Sequence, residues 1–246
     1  MVRNLCSLLL FIFVGACSAQ EVQVAVAANF AAPMKEIARG FEISSGYKAA
    51  LSVGATGKFY AQIKNAAPFD ILLAADQVTA TRLAEEQLAN AKTQFTYAVG
   101  KLVLWSATPG FVDAQGAVLK SGHFKHIAIA SPLQAPYGEA AIQTLKSVNL
   151  SEKIAASIVT GESIGQTFAF VATGNAELGF VALSQVSNNG QLQSGSAWIV
   201  PQNLYSPLRQ DAILLKHGQD NPAALALLVY LKSDAAKKIM RSFGYD

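Results

Sequence analysis

Cysteine is scarce in this sequence, and the positions of the cysteines exclude several kinds of chemistry. The 246 residues include two cysteines, Cys6 and Cys17, and both fall within the first 19 residues. We predict that residues 1–19 are a signal peptide removed after Ala19, because small residues precede that position. The remaining chain then has no cysteine, which excludes disulfides, thiol catalysis and a cysteine metal site.

Long apolar runs are also missing. The run from Leu8 to Val14, which follows Arg3, is shorter than the roughly 20 residues that cross a membrane. A basic residue, a short apolar run and the small residues of Gly15–Ala19 are typical of a secretory leader, so we expect export. A second interpretation stays open, in which Cys17 is lipidated and holds the protein at a membrane surface.

The sequence has no strong surplus of one charge and few histidines. The formal net charge is +3, one unit of which is Arg3 in the leader, and the lysines and arginines are scattered singly. Such a surface does not favour nucleic-acid binding. His123, His126 and His217 are too few for a metal centre without a group of carboxylates, so we predict no direct protein ligand to a metal.

What the chain does contain is a strand that runs directly into a helix. Val22, Val24 and Val26 alternate with smaller or polar residues, as in a strand, and the pattern changes to helical spacing from Phe30 to Phe41. Asn29 stands at the joint, where we predict that it caps the helix. The first N–H groups of a helix have no partner within it, so such a joint favours an anion.

Three more joints of the same kind follow. They lie around Thr56, around Tyr137 and at Gly161–Gly165, each between a predicted strand and a helical pattern. Alternating strands and helices predict an α/β fold with mostly parallel sheets, in which ligands bind at the carboxyl ends of the strands. The four joints contain no arginine and one lysine, Lys58, so an anion there would be held by neutral donors.

The last joint also matches an enzyme motif. Gly161–Gly165 has the pattern G-x-S-x-G of a nucleophile elbow, and Asp211 and His217 follow Ser163 in the order of a catalytic triad. No glycine-rich oxyanion loop precedes it, and Asp211 and His217 lie on or beside one short strand. A serine hydrolase is therefore an alternative that the sequence disfavours.

Four segments resemble the periplasmic molybdate-binding proteins, which are the substrate-binding components of molybdate ABC transporters. They are AANFAAPMKEIARGF, SVGATGKFYAQIKNAAPFDILLAAD, SPLQAPYGEAAIQTL and GNAELGFVALSQV, and the most specific piece is PFDILLAAD, Pro68 to Asp76. The likeness covers nearly the whole chain after the leader. It implies a two-lobed α/β fold of the type II periplasmic binding proteins, with the ligand in the cleft between the lobes.

The resemblance also implies the residues that bind the oxyanion. Two binding positions lie in each lobe, and both side chains and backbone N–H groups contribute. The first lobe supplies Asn29, with the N–H of Ala28 beside it, and Thr56, and the second lobe supplies Tyr137 and Ile164. Ser163 would then be a helix cap. Many members have a tyrosine after the strand that corresponds to LGFV, where this sequence has Ala182, and Tyr137 is placed to supply the missing donor.

We therefore expect a periplasmic binding protein without a cofactor, and not an enzyme. As a monomer it would carry molybdate, and tungstate, to an ABC transporter permease in the inner membrane. Its lobes would comprise residues 20–99 with 208–246, and residues 100–207, with hinges near Val99-Gly100 and Leu208-Arg209. Binding of another tetrahedral oxyanion, such as sulfate, is the alternative.

Overall fold

Residues 21–246, which a computed structural model describes, fold around two five-stranded sheets. The predictions for residues 1–19, including cleavage after Ala19 and lipidation of Cys17, lie outside the described residues. The strands are β1 (Glu21–Ala27), β2 (Lys48–Gly54), β3 (Ile71–Leu73), β4 (Phe95–Gly100), β5 (Leu102–Ser106), β6 (Ile127–Ala130), β7 (Ile158–Gly161), β8 (Leu178–Ala182), β9 (Ser187–Asn188), β10 (Gln191–Leu192), β11 (Ser196–Ile199) and β12 (Leu208–Leu214). The helices are α1 (Ala31–Ser45), α2 (Thr56–Lys64), α3 (Val78–Glu85), α4 (Val118–Ser121), α5 (Pro136–Ser147), α6 (Ser151–Ile154), α7 (Ile164–Ala172), α8 (Leu183–Val186), α9 (Pro222–Leu231) and α10 (Asp234–Ser242).

Sheet I has the strand order β2-β1-β3-β12-β4 and forms lobe 1 with the helices that cover it. β1 is parallel to β2 and β3, whereas β12 is antiparallel to β3 and β4. Apolar residues of α1, α9 and α10 pack on one face, and those of α2 and α3 pack on the other. Because both faces are covered, β3 is a continuous apolar run with every residue buried.

Sheet II has the order β11-β5-β8-β6-β7 and forms lobe 2. β6 is parallel to β7 and β8, and β5 is antiparallel to β8 and β11. Helix α5 packs on one face and α7 on the other. Trp105 of β5 stacks on Phe168 of α7 at a centroid distance of 5.2 Å, and Trp198 lies on the neighbouring β11.

The two-lobed α/β prediction is confirmed, but the expectation of mostly parallel sheets is wrong. Half of the strand pairs within the two large sheets are antiparallel. The chain passes between the lobes twice, from β4 to β5 and from β11 to β12, and all four of these strands join their sheets in antiparallel pairs. The lobe boundaries at 99/100 and 207/208 stay a prediction.

Within residues 21–246, every helix is too short or too polar to cross a bilayer.

Candidate oxyanion site

Asn29 lies at the end of β1, but it does not cap a helix as predicted. A 3₁₀ turn over Ala28–Phe30 follows the strand, and α1 starts only at Ala31, with Phe30 as its N-cap. The extra turn moves the helix start by one residue and buries the Asn29 side chain, which is 1% exposed. Its Nδ2 instead donates to Gln210 Oε1 at 2.8 Å and to the Tyr245 hydroxyl at 3.0 Å.

Thr56 is the first residue of α2, and one residue, Ala55, separates it from the end of β2. The preceding residue, Ala55, has no side-chain oxygen, so the first N–H groups of the helix are not capped by a side chain. The Thr56 hydroxyl oxygen accepts the N–H of Ala75 at 3.0 Å. Because this oxygen accepts there, the O–H hydrogen remains to donate to another group.

Tyr137 is the second residue of α5 and follows Pro136, which has no N–H. Its side chain is buried, and its hydroxyl accepts from Gln210 Nε2 at 3.1 Å. Burial raises the pKa of Tyr137 well above the usual tyrosine value, which keeps the hydroxyl neutral. The ring ends against Gly100, where a Cβ would collide with the hydroxyl.

Ile164 is the first residue of α7, and Ser163 is the N-cap of that helix. Ser163 Oγ accepts the N–H of Gln166 at 3.3 Å, so the predicted capping role is confirmed. The carbonyl of Ile164 accepts from Gln185 Nε2 at 3.1 Å. That contact anchors the first turn of α7 to the segment that follows β8.

One small cavity collects the starts of these four elements. Its volume is about 10 Å³, room for about one water-sized group, and it lies at the carboxyl ends of β1, β2 and β7. The five predicted residues all line it, together with Ala27, Gly54, Ala55, Ala75, Ala135 and Pro136. None of these residues is charged, so the cavity offers neutral donors and the positive ends of helix dipoles.

Contacts between the lobes surround this cavity. Gly57 N–H donates to the Gln134 carbonyl at 2.9 Å, and Ser184 Oγ donates to the Asn29 carbonyl at 2.7 Å. Lys58 and Glu162 form an ion pair at 2.5 Å across the same gap, but both side chains are largely exposed, so the pair contributes little. The lobes are thus joined at the cavity chiefly by short-range polar contacts.

Ala182, where the resemblance would place a tyrosine, does not line the cavity. It is buried at the end of β8, and its N–H donates to Gln185 Oε1 at 2.9 Å. Two residues later, Ser184 contacts Asn29 and Tyr245. Ser184, Tyr245 and Gln210 were not predicted from the sequence; the one signal was Gln210, an uncharged polar residue near the start of a strand whose last three residues are apolar.

The serine hydrolase interpretation is not supported, because the three residues it needs have other partners. Ser163 caps α7, and Asp211 accepts from Thr96 Oγ1 and from Gln94 Nε2, each at 2.7 Å. His217 Nδ1 lies 2.7 Å from Asp70 Oδ1. Within residues 21–246, no group of three or more His, Cys, Asp or Glu side chains that could hold a metal ion occurs.

Comparisons with known proteins give a consistent result. Residues 22–246 match the family described as bacterial extracellular solute-binding protein. The chain is 58% identical to the molybdate-binding protein ModA of Azotobacter vinelandii over 94% of this chain and 92% of that one. It is 48% identical to ModA of Rhodobacter capsulatus over 93% and 89% of the two chains. A solved structure of an Azotobacter vinelandii periplasmic molybdate-binding protein superimposes with a TM-score of 0.89, at 38% identity, and covers 92% of this chain and 98% of that one.

Proposed function

This chain belongs to the bacterial extracellular solute-binding proteins, and among them to the molybdate-binding proteins, and we therefore propose that it captures molybdate for an ABC transporter. Tungstate, which has the same charge and nearly the same size, is proposed as a second ligand. The relatives that match are binding proteins, which supports a transport role without catalysis.

The observation that carries this proposal is the uncharged cavity between the lobes. It is lined by residues from four helix starts, two in each lobe: Ala28 and Asn29, Thr56, Tyr137, and Ile164. In the proposal each contributes a neutral donor, either a backbone N–H at the start of a helix or turn or the hydroxyl of Thr56. A tetrahedral oxyanion presents four oxygens in different directions, which donors converging from two lobes can satisfy when the lobes part enough to enlarge the water-sized cavity.

The donor set also favours particular anions. Molybdate and tungstate carry no proton at neutral pH, so every oxygen is an acceptor. Hydrogen phosphate carries a proton that needs an acceptor, and a site of N–H donors leaves that proton unpaired at a cost of roughly 1–3 kcal/mol. Sulfate is smaller, so fewer of the donors would reach it at about 2.7–3.1 Å.

The transport cycle is proposed along the same lines. Lobe 1 (20–99 and 208–246) and lobe 2 (100–207) would close over the ligand by bending near Val99-Gly100 and Leu208-Arg209. The closed monomer in the periplasm would then deliver the oxyanion to a permease in the inner membrane. Small-angle scattering with and without molybdate tests this closure, and an unchanged radius of gyration contradicts it.

Calorimetric titration tests the proposed function directly. Protein cleaved after Ala19 and stripped of ligand is titrated with molybdate, tungstate, sulfate and phosphate in separate runs. We expect tight one-to-one binding of the two metalates and weak binding of the other two anions. Tight binding of sulfate alone would establish the alternative, a receptor for another oxyanion. If neither metalate bound, the proposed function would be wrong.

A further inference from the structure

Gln210 is a fully buried polar residue on β12, close to the point where the chain returns to lobe 1. The pairing of β12 with β4 is irregular there: Gln210 pairs with Ala98 and Asp211 with Thr96, so Tyr97 has no partner of its own. Such a bulge redirects side chains, and bulges are frequent beside functional sites. Here Gln210 and Tyr97 make a side-chain contact behind the cavity.

The amide of Gln210 connects one predicted ligand residue from each lobe. Its Oε1 accepts from Asn29 Nδ2 at 2.8 Å and from the Tyr97 hydroxyl at 3.1 Å. Its Nε2 donates to the Tyr137 hydroxyl at 3.1 Å. Gln210 itself does not line the cavity.

The hydrogen bonds of Asn29 do not suit an oxyanion in this arrangement. Both hydrogens of its Nδ2 are used, one by Gln210 and one by Tyr245. Its Oδ1 is buried and has no partner among the described residues. The side chain therefore offers a lone pair and no donor, although a fully deprotonated oxyanion needs donors.

Turning the two amides together removes this conflict. If Asn29 alone turned, its Oδ1 would face Gln210 Oε1, and two acceptors would be opposed. If both turn, Gln210 Nε2 donates to Asn29 Oδ1 and to Tyr97, whose own hydroxyl donates to the Ala74 carbonyl, as its 3.1 Å separation allows. Asn29 Oδ1 also faces the Tyr245 hydroxyl, which then donates to it, while Ser184 Oγ still donates to the Asn29 carbonyl. Gln210 Oε1 then accepts from Tyr137, and Asn29 Nδ2 points to where its unpaired oxygen lay.

We propose that Gln210 is a positioning residue, which in the liganded protein holds the Asn29 amide so that Nδ2 donates to the oxyanion. This inference rests on the proposed function. It assigns the Tyr137 hydroxyl to Gln210 and leaves Tyr137 to meet the ligand through its backbone N–H, which has no partner inside α5. The donor that Ala182 lacks is thus supplied by Asn29 and not by the Tyr137 hydroxyl.

A double-mutant cycle tests whether Gln210 acts through Asn29. Molybdate affinity is measured by calorimetry for the unaltered protein, Gln210→Met, Asn29→Ala and the double variant. Methionine has nearly the shape of glutamine and cannot hold the amide, so we expect Gln210→Met to weaken binding roughly 5- to 100-fold. In the Asn29→Ala background the same change should have almost no further effect. Unaltered affinity in Gln210→Met, or losses that simply add, would overturn the inference.

Two further variants guard against a merely structural effect. Thr144→Val removes another buried hydrogen bond, from Thr144 Oγ1 to the Ala140 carbonyl in α5, and should leave affinity unchanged; an equal loss there would overturn the inference.

If Gln210→Met does not fold, Gln210→Glu replaces it: a carboxylate only accepts, so binding should be weak and should recover as the pH falls and the group is protonated. Binding by Gln210→Glu equal to that of the unaltered protein at every pH would overturn the inference. If the unaltered protein binds molybdate, only the role of Gln210 is at stake; if it binds neither metalate, the proposed function fails and this inference with it.

Discussion

A single oxygen atom of Thr56 has two tasks at the cavity. It accepts the N–H of Ala75 at 3.0 Å, which ties the start of α2 to the end of β3, and its hydrogen remains for a ligand. The first task belongs to the fold and the second to binding. Substitutions at Thr56 can remove or keep the hydroxyl, and with it both tasks, without changing the backbone.

Replacing Thr56 by valine should weaken molybdate binding about tenfold or more. Valine has the shape of threonine without the hydroxyl, so the donor is lost and the buried N–H of Ala75 is left unpaired. Thr56→Ser keeps the hydroxyl and is the matched control, with affinity close to that of the unaltered protein. Calorimetry measures both, and equal affinities for the valine and serine variants would contradict a role for Thr56 as a donor.

Three buried tyrosines make the protein sensitive to alkali. Burial raises the pKa of Tyr245 to about 12 and raises the pKa values of Tyr97 and Tyr137 well above the usual value of 10.0. Above pH 10 the unfolded chain releases these protons while the folded protein keeps them. Stability is therefore full below pH 10 and is lost as the pH rises through the folded pKa values.

We expect the free energy of unfolding to fall between pH 10 and pH 12, with Tyr245 contributing at most about 3 kcal/mol of the loss. Urea unfolding at a series of pH values measures this dependence. Tyr245→Phe should be less stable at neutral pH, because the hydroxyl contacts Asn29 and Ser184, but should lose less stability in alkali. An unfolding free energy that is flat to pH 12 would contradict the burial of these hydroxyls.

At the scale of the element, the caps of the last two helices differ in the number of hydrogen bonds that they make. Ser233 Oγ only accepts the N–H of Ala236 at the start of α10. Asn221 caps α9 in the same way, and its Nδ2 also donates to the Glu21 carbonyl and to Asp70 Oδ2, each at 3.0 Å. Asn221 therefore joins α9 to both β1 and the segment before β3.

Ser233→Ala should lower the free energy of unfolding by about 1 kcal/mol, and Asn221→Ala by about 2 kcal/mol or more. The two changes remove equivalent caps, so the difference between them measures the additional bonds to Glu21 and Asp70. Urea unfolding at neutral pH gives both values. Equal losses would show that those two bonds add nothing to stability.

Elements with strong local signals could be predicted from the sequence. Asn221 followed by a proline, and Ser233 before a helical pattern, indicated the starts of α9 and α10, and both caps are confirmed. The start of α1 was placed wrongly, because a 3₁₀ turn and an α-helix share the same local residue preferences. β4 was missed for another reason: its pairing with β12 joins residues more than 100 positions apart.

At the scale of the whole molecule, the two lobes meet backbone to backbone at Gly57. Gly57 donates its N–H to Gln134, and a Cβ on Gly57 would lie 3.0 Å from the Gln134 Cα. An alanine there would force the lobes apart by a few tenths of an ångström. The neighbouring Lys58 contacts the other lobe through an exposed ion pair.

We expect Gly57→Ala to weaken molybdate binding about fivefold or more without lowering the stability of the ligand-free protein. Alanine is the better helix former by roughly 1 kcal/mol, so α2 itself gains from the change. Lys58→Met, at the next position, should alter affinity by less than about fivefold, as an exposed pair contributes up to about 1 kcal/mol. Calorimetry together with thermal unfolding separates these effects, and a Gly57→Ala protein with unchanged affinity would contradict close approach at this point.

Part of the candidate site could be predicted from the sequence, because its residues lie in segments with strong local signals. Each of its four joints is a local pattern of strand, small residues and helix start, and the structure brings all four to one cavity. The residues behind that cavity could not be found in this way. Gln210 and Tyr245 reach Asn29 across separations of 181 and 216 residues, and only the folding of lobe 1 from its two chain segments brings them together.

Both tryptophans of the sequence, Trp105 and Trp198, lie on adjacent strands of sheet II. Tryptophan fluorescence of this protein is therefore a one-sided optical signal: it arises in lobe 2 and reports the surroundings of that lobe. A change in emission when molybdate is added would have to pass through the strands or helices of lobe 2. An energy-transfer experiment on lobe closure needs only one added acceptor dye, on lobe 1, because the donors already stand together on the opposite side.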